Sequence, residues 1–292
     1  MASFLERLER KIIIKNTFFI RNGAPRLPKN RKSKKLSFTG DNALSDMLKS
    51  GNIIFSDFNP QTSVLVKINL NSSNPYPAST SSEMLDALLQ SLVNLRVKKI
   101  CIGDCSGLVH LPTRKVITRK GLDHFKKYGV KIKVFDYGKW VNVPIKGIYF
   151  KSIILSESIY KYDKIINLAN LKSHHVAGFS FSTKLLVGFM HPFQRIQLHK
   201  DHLEEKIAEL SLAVQPDISI IDARSIFVDG GPDIGTVAEA KTIIVDNDLL
   251  DADLSAYNLL VLIKQQYGIN DLDKNPHNCR FFKHFTEIKG NS

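Results

Sequence analysis

KIINLANLKSHHVAGFSFSTKLLVGFMHPFQRIQLHKDH, residues 164–202, sets the pattern for the whole fold. Its first seven residues, KIINLAN, are predicted to form a strand. The strand leads directly into a glycine-containing segment that holds five of the nine histidines and four lysines or arginines. The segment thus combines a strand with the cationic loop that follows it.

The cations of this segment lie among apolar residues, and no carboxylate occurs before Asp201. Cations along a solvated helix are normally interleaved with Glu and Asp, which pair with them at a spacing of three or four residues. Their absence here indicates a cleft that holds an anion or a metal. The alternative is a basic surface loop with a few core histidines.

Strand and helix patterns alternate along the chain. Strand patterns occur at residues 63–70, 98–103, 131–137, 164–170, 217–223 and 241–246. Helix patterns occur at residues 81–95, 113–128, 202–214 and 248–264. Thr80 and Glu83 fit a capping box before the first of these helices. The sequence therefore predicts an α/β fold: a mainly parallel sheet with helices on both faces, in a single domain of residues 41–292.

Residues 1–40 are predicted to form a basic N-terminal arm. They carry eleven Lys or Arg and two acids, a net +9 of the chain's +13. The Pro-, Gly- and Lys-rich part, residues 21–35, is typical of a loop. It could tether the protein to RNA or to an acidic surface, or it could be a solvated edge that wraps the domain. Because this composition leaves little apolar area to bury, we expect deletion of residues 1–40 to shift the thermal midpoint only slightly.

Cysteine count and hydropathy argue against several classes of protein. Three cysteines, Cys101, Cys105 and Cys279, argue against a disulfide framework and for a reducing compartment. No ferredoxin-type cysteine run is present, so the chain alone cannot supply four thiolates to an iron–sulfur cluster. No apolar run reaches the length of a membrane span, and the N-terminus has no signal-peptide pattern, so a cytoplasmic location is expected.

GDCSG, residues 103–107, follows a strand and has three interpretations. As G-x-C-x-G it looks like a nucleophile elbow with Cys105 as nucleophile. An elbow requires a helix to begin at once, and Pro112 pushes the helix start later. A phosphate-binding turn fits equally well, as does a plain turn at the edge where open α/β sheets place their ligands.

DGGPDIGT, residues 229–236, superficially matches a phosphate-binding loop. It lacks the P-loop lysine and is followed by a strand, which excludes an NTPase site. The glycines either let a loop backbone approach a ligand or simply permit positive φ. Asp222, Asp229 and Asp233 allow a cation site, but carboxylates in such loops are commonly solvated turn residues.

Two histidine pairs are candidate metal ligands. His199 and His202 would share a helix face if the helix starts early, and could then hold Zn²⁺ or Fe²⁺. The sequence shows no certain third ligand. His174 and His175 are adjacent, so on an extended strand they point to opposite faces and at most one faces a site. A structural role or an anion contact is favoured over a metal site, and no metal ligand is assigned.

Taken together, these segments resemble the prokaryotic domain-of-unknown-function family 362 over about residues 60–265. The match begins at VKINL, passes through IGDCSG, is strongest in INLANLKSHHVAGFSFSTKLLVG and ends at GGPDIG. The positions shared with the family pattern are Lys67, Asn69, Asn167, Lys172, His174, Gly178, Lys184, Gly188, Arg195, His199 and Asp222. Departures are Ala169, Ser173 and Leu185, and the ferredoxin-like cysteine module of some members is absent. The resemblance implies a fold and a site rather than a reaction.

The site is expected at the carboxyl ends of the strands. The candidate catalytic residues are His174, His199 and Lys172. The candidate ligand contacts are Lys67, Asn69, Asp104, Ser106, Lys184, Arg195, Asp222 and Gly231. Lysine and arginine would neutralise phosphate or carboxylate groups, and a histidine would act as general acid or base because it titrates near neutrality.

These residues predict an enzyme or cofactor-binding protein that acts on a small anionic molecule, with the cofactor left unidentified. The first alternative is a metal-associated or iron–sulfur-associated redox protein that uses a partner protein. The second is an RNA-binding protein that uses residues 21–35. Nucleic acid is disfavoured because that segment contains no aromatic residue on which bases could stack.

We predict that the side-chain nitrogens of Lys67, Lys172 and Lys184 line one concavity, although the residues lie far apart in sequence. Each sits at a predicted strand end or in glycine-containing sequence rather than among acids. A structure with the three lysines on separate faces would contradict this assignment.

Overall fold

A mixed β-sheet organises the part of the chain that the computed structural model describes, residues 20–28, 34–107 and 112–290. The strands are β1 (Ile20–Asn22), β2 (Lys35–Thr39), β3 (Ser63–Lys67), β4 (Lys99–Asp104), β5 (Lys131–Val134), β6 (Trp140–Pro144), β7 (Ser152–Ser156), β8 (Lys164–His174), β9 (Gly178–Ser180), β10 (Ile218–Gly230) and β11 (Gly235–Asp246). The large sheet has the order β2-β11-β10-β8-β3-β4-β5, with β9 paired to β8. A small sheet has the order β1-β6-β7.

The large sheet combines parallel and antiparallel strands. Strands β5, β4, β3, β8 and β10 run parallel to one another. By contrast, β10 and β11 form a long antiparallel hairpin, and β2 pairs antiparallel with β11. The sequence pattern missed this hairpin because its outer half carries exposed polar residues such as Thr236 and Glu239. The glycine-rich residues 231–234 are the hairpin tip.

Helices cover both faces of the large sheet. They are α1 (Ala43–Lys49), α2 (Gly51–Ile54), α3 (Ser82–Asn94), α4 (Thr113–Arg119), α5 (Ser182–Leu185), α6 (Pro192–Leu198), α7 (Leu203–Ala213), α8 (Leu249–Gln266) and α9 (Arg280–Gly290). Alternate side chains of β3 enter two separate apolar cores, Val64 and Val66 on the face of α1–α4 and Leu65 on the face of α7–α9. None of the helices in the described part of the chain is both long and apolar enough to cross a bilayer.

The start of α3 differs from the predicted capping box by one residue. Ser81 is the N-cap, and its hydroxyl accepts from the Met84 amide. The Thr80 hydroxyl instead accepts from the backbone N–H of Asn69 at 2.7 Å. The threonine therefore fastens the loop that follows β3, next to the cleft described below.

Parts of the N-terminal forty residues pack against the domain. Strand β2 forms one edge of the large sheet, and Leu36 and Phe38 are partly buried against its core. The Arg26 guanidinium lies 2.7 Å from Asp217. The expectation that this segment buries little apolar area is therefore wrong for β2. The remainder of the arm, residues 1–19 and 29–33, lies outside the described residues. The expected role of the arm as a tether falls largely on those residues.

Because β2 packs against the domain, deletion of residues 1–40 should lower the free energy of unfolding by about 2 kcal/mol or more relative to deletion of residues 1–19 alone. The longer deletion removes β2 with its two apolar side chains and leaves Asp217 without Arg26. Urea unfolding of the two truncated proteins measures the difference. Equal unfolding midpoints would show that β2 contributes nothing to stability.

Candidate functional site

A cleft of about 310 Å³ opens at the carboxyl ends of β3, β4 and β8, bordered by the hairpin tip and by α5 and α6. The predicted residues that line it are Lys67, Asn69, Asp104, Lys172, His174, Lys184, Arg195 and His199. The structure thus places the three lysines in one concavity. Cleft residues that sequence reasoning did not assign include Asn71, Asn170, His175 and Asp233. Asn170 carried a usable signal, because it is a polar residue at the end of a strand that the sequence predicts.

A buried ion pair joins the ends of two neighbouring strands in this cleft. Lys67, the last residue of β3, is 0% exposed, and its Nζ lies 2.5 Å from Oδ1 of Asp104, the last residue of β4. Burial lowers the pKa of Lys67 and raises that of Asp104, and each charge opposes its partner's shift. Gly188 makes the pair feasible, because a Cβ there would lie 2.2 Å from Asp104 Oδ1.

Asp104 also fixes the two loops that follow these strands. Its carboxylate accepts from the backbone N–H groups of Leu70 and Cys105, both at 2.6 Å. Asn69 connects the first loop to β8, because its Nδ2 donates to Asn170 Oδ1 at 3.0 Å. The polar groups of Asp104 and Asn69 are thus largely occupied by protein partners, and they shape the cleft.

Lys172 presents a buried amine to the cleft. It is 2% exposed, and its Nζ donates to the carbonyl oxygens of Ala78 at 2.6 Å and Pro232 at 2.8 Å. Neither acceptor is charged. Burial, and secondly the positive charge of Lys184, lower the pKa of Lys172 to about 7, while Asp233 opposes the shift. Lys172 therefore exchanges its proton near neutral pH.

The side-chain Nζ of Lys184 makes no hydrogen bond or ion pair with the residues that the structure describes, although Lys184 lines the cleft. Its helix α5 begins at a fixed place, since the Asp253 carboxylate accepts from the amides of Ser182 at 2.8 Å and Thr183 at 3.0 Å. Desolvation lowers the pKa of Lys184 to about 8, and the Asp233 charge opposes the shift. Sequence reasoning missed the role of Asp253, which lies far along the chain on α8.

His174 ends β8, and its ring is held in one tautomer. Its Nδ1 accepts from the backbone N–H groups of Val176 at 3.1 Å and Ala177 at 3.3 Å, so the proton of the neutral ring lies on Nε2. Burial and then the charge of Lys184 lower its pKa to about 2. At neutral pH His174 is therefore a hydrogen-bond donor. This finding does not support the acid–base role predicted from the ordinary imidazole pKa.

The chain turns immediately after His174, so the expectation that its neighbour points to the opposite face is wrong. The rings of His174 and His175 are stacked with centroids 5.3 Å apart, and both line the cleft. Nδ1 of His175 donates to the Gly231 carbonyl at 2.6 Å. This bond joins the end of β8 to the hairpin tip.

Arg195 and Cys105 form a second buried cluster in the cleft wall. The guanidinium donates to the carbonyls of Met190 and Ser106 and to the Cys105 sulfur, which also bonds the Asp136 carboxylate. Burial raises the pKa of Cys105 to about 12. A thiol that stays protonated is a poor nucleophile, so the structure disfavours the nucleophile-elbow interpretation.

Three predicted contacts do not line the cleft. Asp222 forms a two-point ion pair with Arg224, whose Nε and Nη2 each lie 3.0 Å from its carboxylate. The Ser106 amide donates to the Thr113 hydroxyl at 2.8 Å. Gly231 has φ +73°, and a Cβ there would lie 2.2 Å from the Ser173 carbonyl oxygen, so it permits the close approach of the hairpin tip.

The described residues contain no group of three or more His, Cys, Asp or Glu side chains placed to hold a metal ion. His199 lies at the C-terminal end of α6, where its Nδ1 donates to the Arg195 carbonyl at 2.7 Å. His202 precedes α7 and stacks on Tyr149, with ring centroids 4.4 Å apart. Since the two histidines lie on opposite sides of a helix boundary, they do not share a helix face.

We expect the pH dependence of folding stability to reveal the buried state of His174. Its pKa of about 2 lies below the ordinary value of 6.5, so its contribution to stability is complete above pH 6.5 and is lost as the pH falls towards 2. His174→Asn, which keeps an acceptor near Nδ1, should reduce the slope between pH 6 and 4 by up to about 1.4 kcal/mol per pH unit. Urea unfolding measures the slope, with His277→Asn at an exposed position as control. An unchanged slope would show that His174 is protonated in the folded protein.

Comparison of the sequence with known proteins identifies one matching family. The profile of the family described as "Domain of unknown function (DUF362)" matches residues 64–258. No curated protein matches the chain. The matched segment contains every cleft residue named above, from Lys67 to Asp233, as well as Asp253 beneath α5. Because the match spans more than half of the sequence, the chain belongs to domain-of-unknown-function family 362.

Proposed function

We propose that the cleft binds a small molecule that carries a phosphate or carboxylate group. The observation that supports this most directly is Lys184, a half-buried cation that lines the cleft without a protein partner in the described part of the chain. A desolvated ammonium that lacks a carboxylate is stabilised when an anion completes its hydrogen bonds.

The neighbouring groups support the same ligand. Lys172 bonds only neutral carbonyl oxygens, and His174 offers a fixed Nε2–H donor. Of the two carboxylates that line the cleft, Asp104 is neutralised by Lys67, and Asp233 accepts from the side-chain Nδ2 of Asn71 at 2.7 Å. The cleft therefore has an excess of positive charge and hydrogen-bond donors.

Lys184→Met should weaken anion binding at least about tenfold, the scale of one charge-assisted hydrogen bond. Calorimetric titration with phosphate, pyrophosphate and citrate measures the affinity, and Lys126→Met at an exposed position is the matched control. Binding should also weaken above about pH 8, where the Lys184 ammonium loses its proton. The proposal fails if none of these anions binds the natural protein, or if Lys184→Met binds them equally well.

A further inference from the structure

We propose that the ligand carries an aldehyde or ketone group beside its anionic group, and that Lys184 Nζ forms an imine with that carbonyl carbon. This inference rests on the proposed anion cleft and names the chemical class of its ligand. A lysine that reacts with carbonyls must reach them as a neutral amine, must not be held by protein acceptors, and must lie where water is limited.

Lys184 meets the requirement for a free amine. Its Nζ has no hydrogen-bond or ion-pair partner in the ranges that the structure describes, whereas Lys172 Nζ is held by two carbonyl oxygens. Attack by Lys172 would break both bonds. The fixed start of α5 on Asp253 places Lys184 beside the cleft without restraining its terminal nitrogen.

The surroundings of Lys184 favour the neutral amine. Phe181, Leu185 and Val187 line the same cleft and contribute apolar surface. With a pKa of about 8, roughly one Lys184 side chain in ten is neutral at pH 7, against about one in three thousand for an ordinary lysine. Both figures describe the protein before any ligand enters.

The reaction balances without an oxidant or reductant. The neutral Nζ attacks the carbonyl carbon to give a carbinolamine, and one proton moves from nitrogen to oxygen. The hydroxyl group then leaves as water when it receives a second proton, and a protonated imine remains. Lys172, which exchanges its proton near neutrality and faces the same cleft, is the group suited to supply that proton. The iminium keeps the positive charge next to the ligand's anionic group.

Glyoxylate and glycolate are the matched probes, because both are small carboxylates and only glyoxylate has an aldehyde. The protein is incubated with glyoxylate and cyanoborohydride at pH 7, and the modified lysines are identified by peptide mass spectrometry. We expect Lys184 to be labelled at least tenfold faster than any exposed lysine, and we expect glycolate or phosphate to slow its labelling.

Lys184→Arg tests the position of the imine. Arginine forms no imine under these conditions, so labelling at position 184 should disappear and no other lysine should become fast. If glycolate or phosphate binds the natural protein but Lys184 is labelled no faster than exposed lysines, the imine is refuted and the anion site stands. Preferential labelling of Lys172 would overturn the assignment to Lys184. If no anion binds and no lysine is labelled preferentially, both proposals fail.

Discussion

The ion pair between Lys67 and Asp104 is the interaction on which the cleft depends. Two charges buried at the ends of adjacent strands are tolerated only when they are paired and their remaining hydrogen-bonding capacity is satisfied. Asp104 meets this condition by accepting two backbone N–H groups, from Leu70 and Cys105, in addition to the lysine. The cost of burying the charges therefore fixes the course of both loops that leave the sheet at this edge.

The positive charge of the cleft arises because its three lysines differ in their hydrogen-bond and ion-pair partners. Lys67 is neutralised by a carboxylate, Lys172 is solvated by two carbonyl oxygens, and Lys184 has neither kind of partner in the described residues. Within the cleft, the ammonium group without a directly bonded partner is therefore that of Lys184.

The sequence predicted the parallel strands near the cleft, and most of the predicted site residues line it. These residues could be found because lysines and histidines without nearby acids are recognisable in the sequence itself. It could not predict what depends on long-range pairing. The antiparallel partner of β10, the capping of α5 by Asp253 and the stacked pair of His174 and His175 all require the folded chain. Asp222 was assigned to the site from its place at a strand end, yet its charge is used within the fold by Arg224. The pKa of His174 was mispredicted because burial, which decides it, cannot be read from sequence.

The hairpin tip has a further consequence for how the chain can vary. Three consecutive residues make contacts there: Gly231 accepts from His175, Pro232 accepts from Lys172, and Asp233 accepts from Asn71. Because the three acceptors are consecutive and two of them are backbone carbonyls, one inserted residue would displace them from their donors. The outer surface of the hairpin is free to change in composition, as the exposed Ile234 illustrates. The length of the hairpin is not free to change, because the number of residues between β10 and β11 sets where these three acceptors lie relative to the cleft.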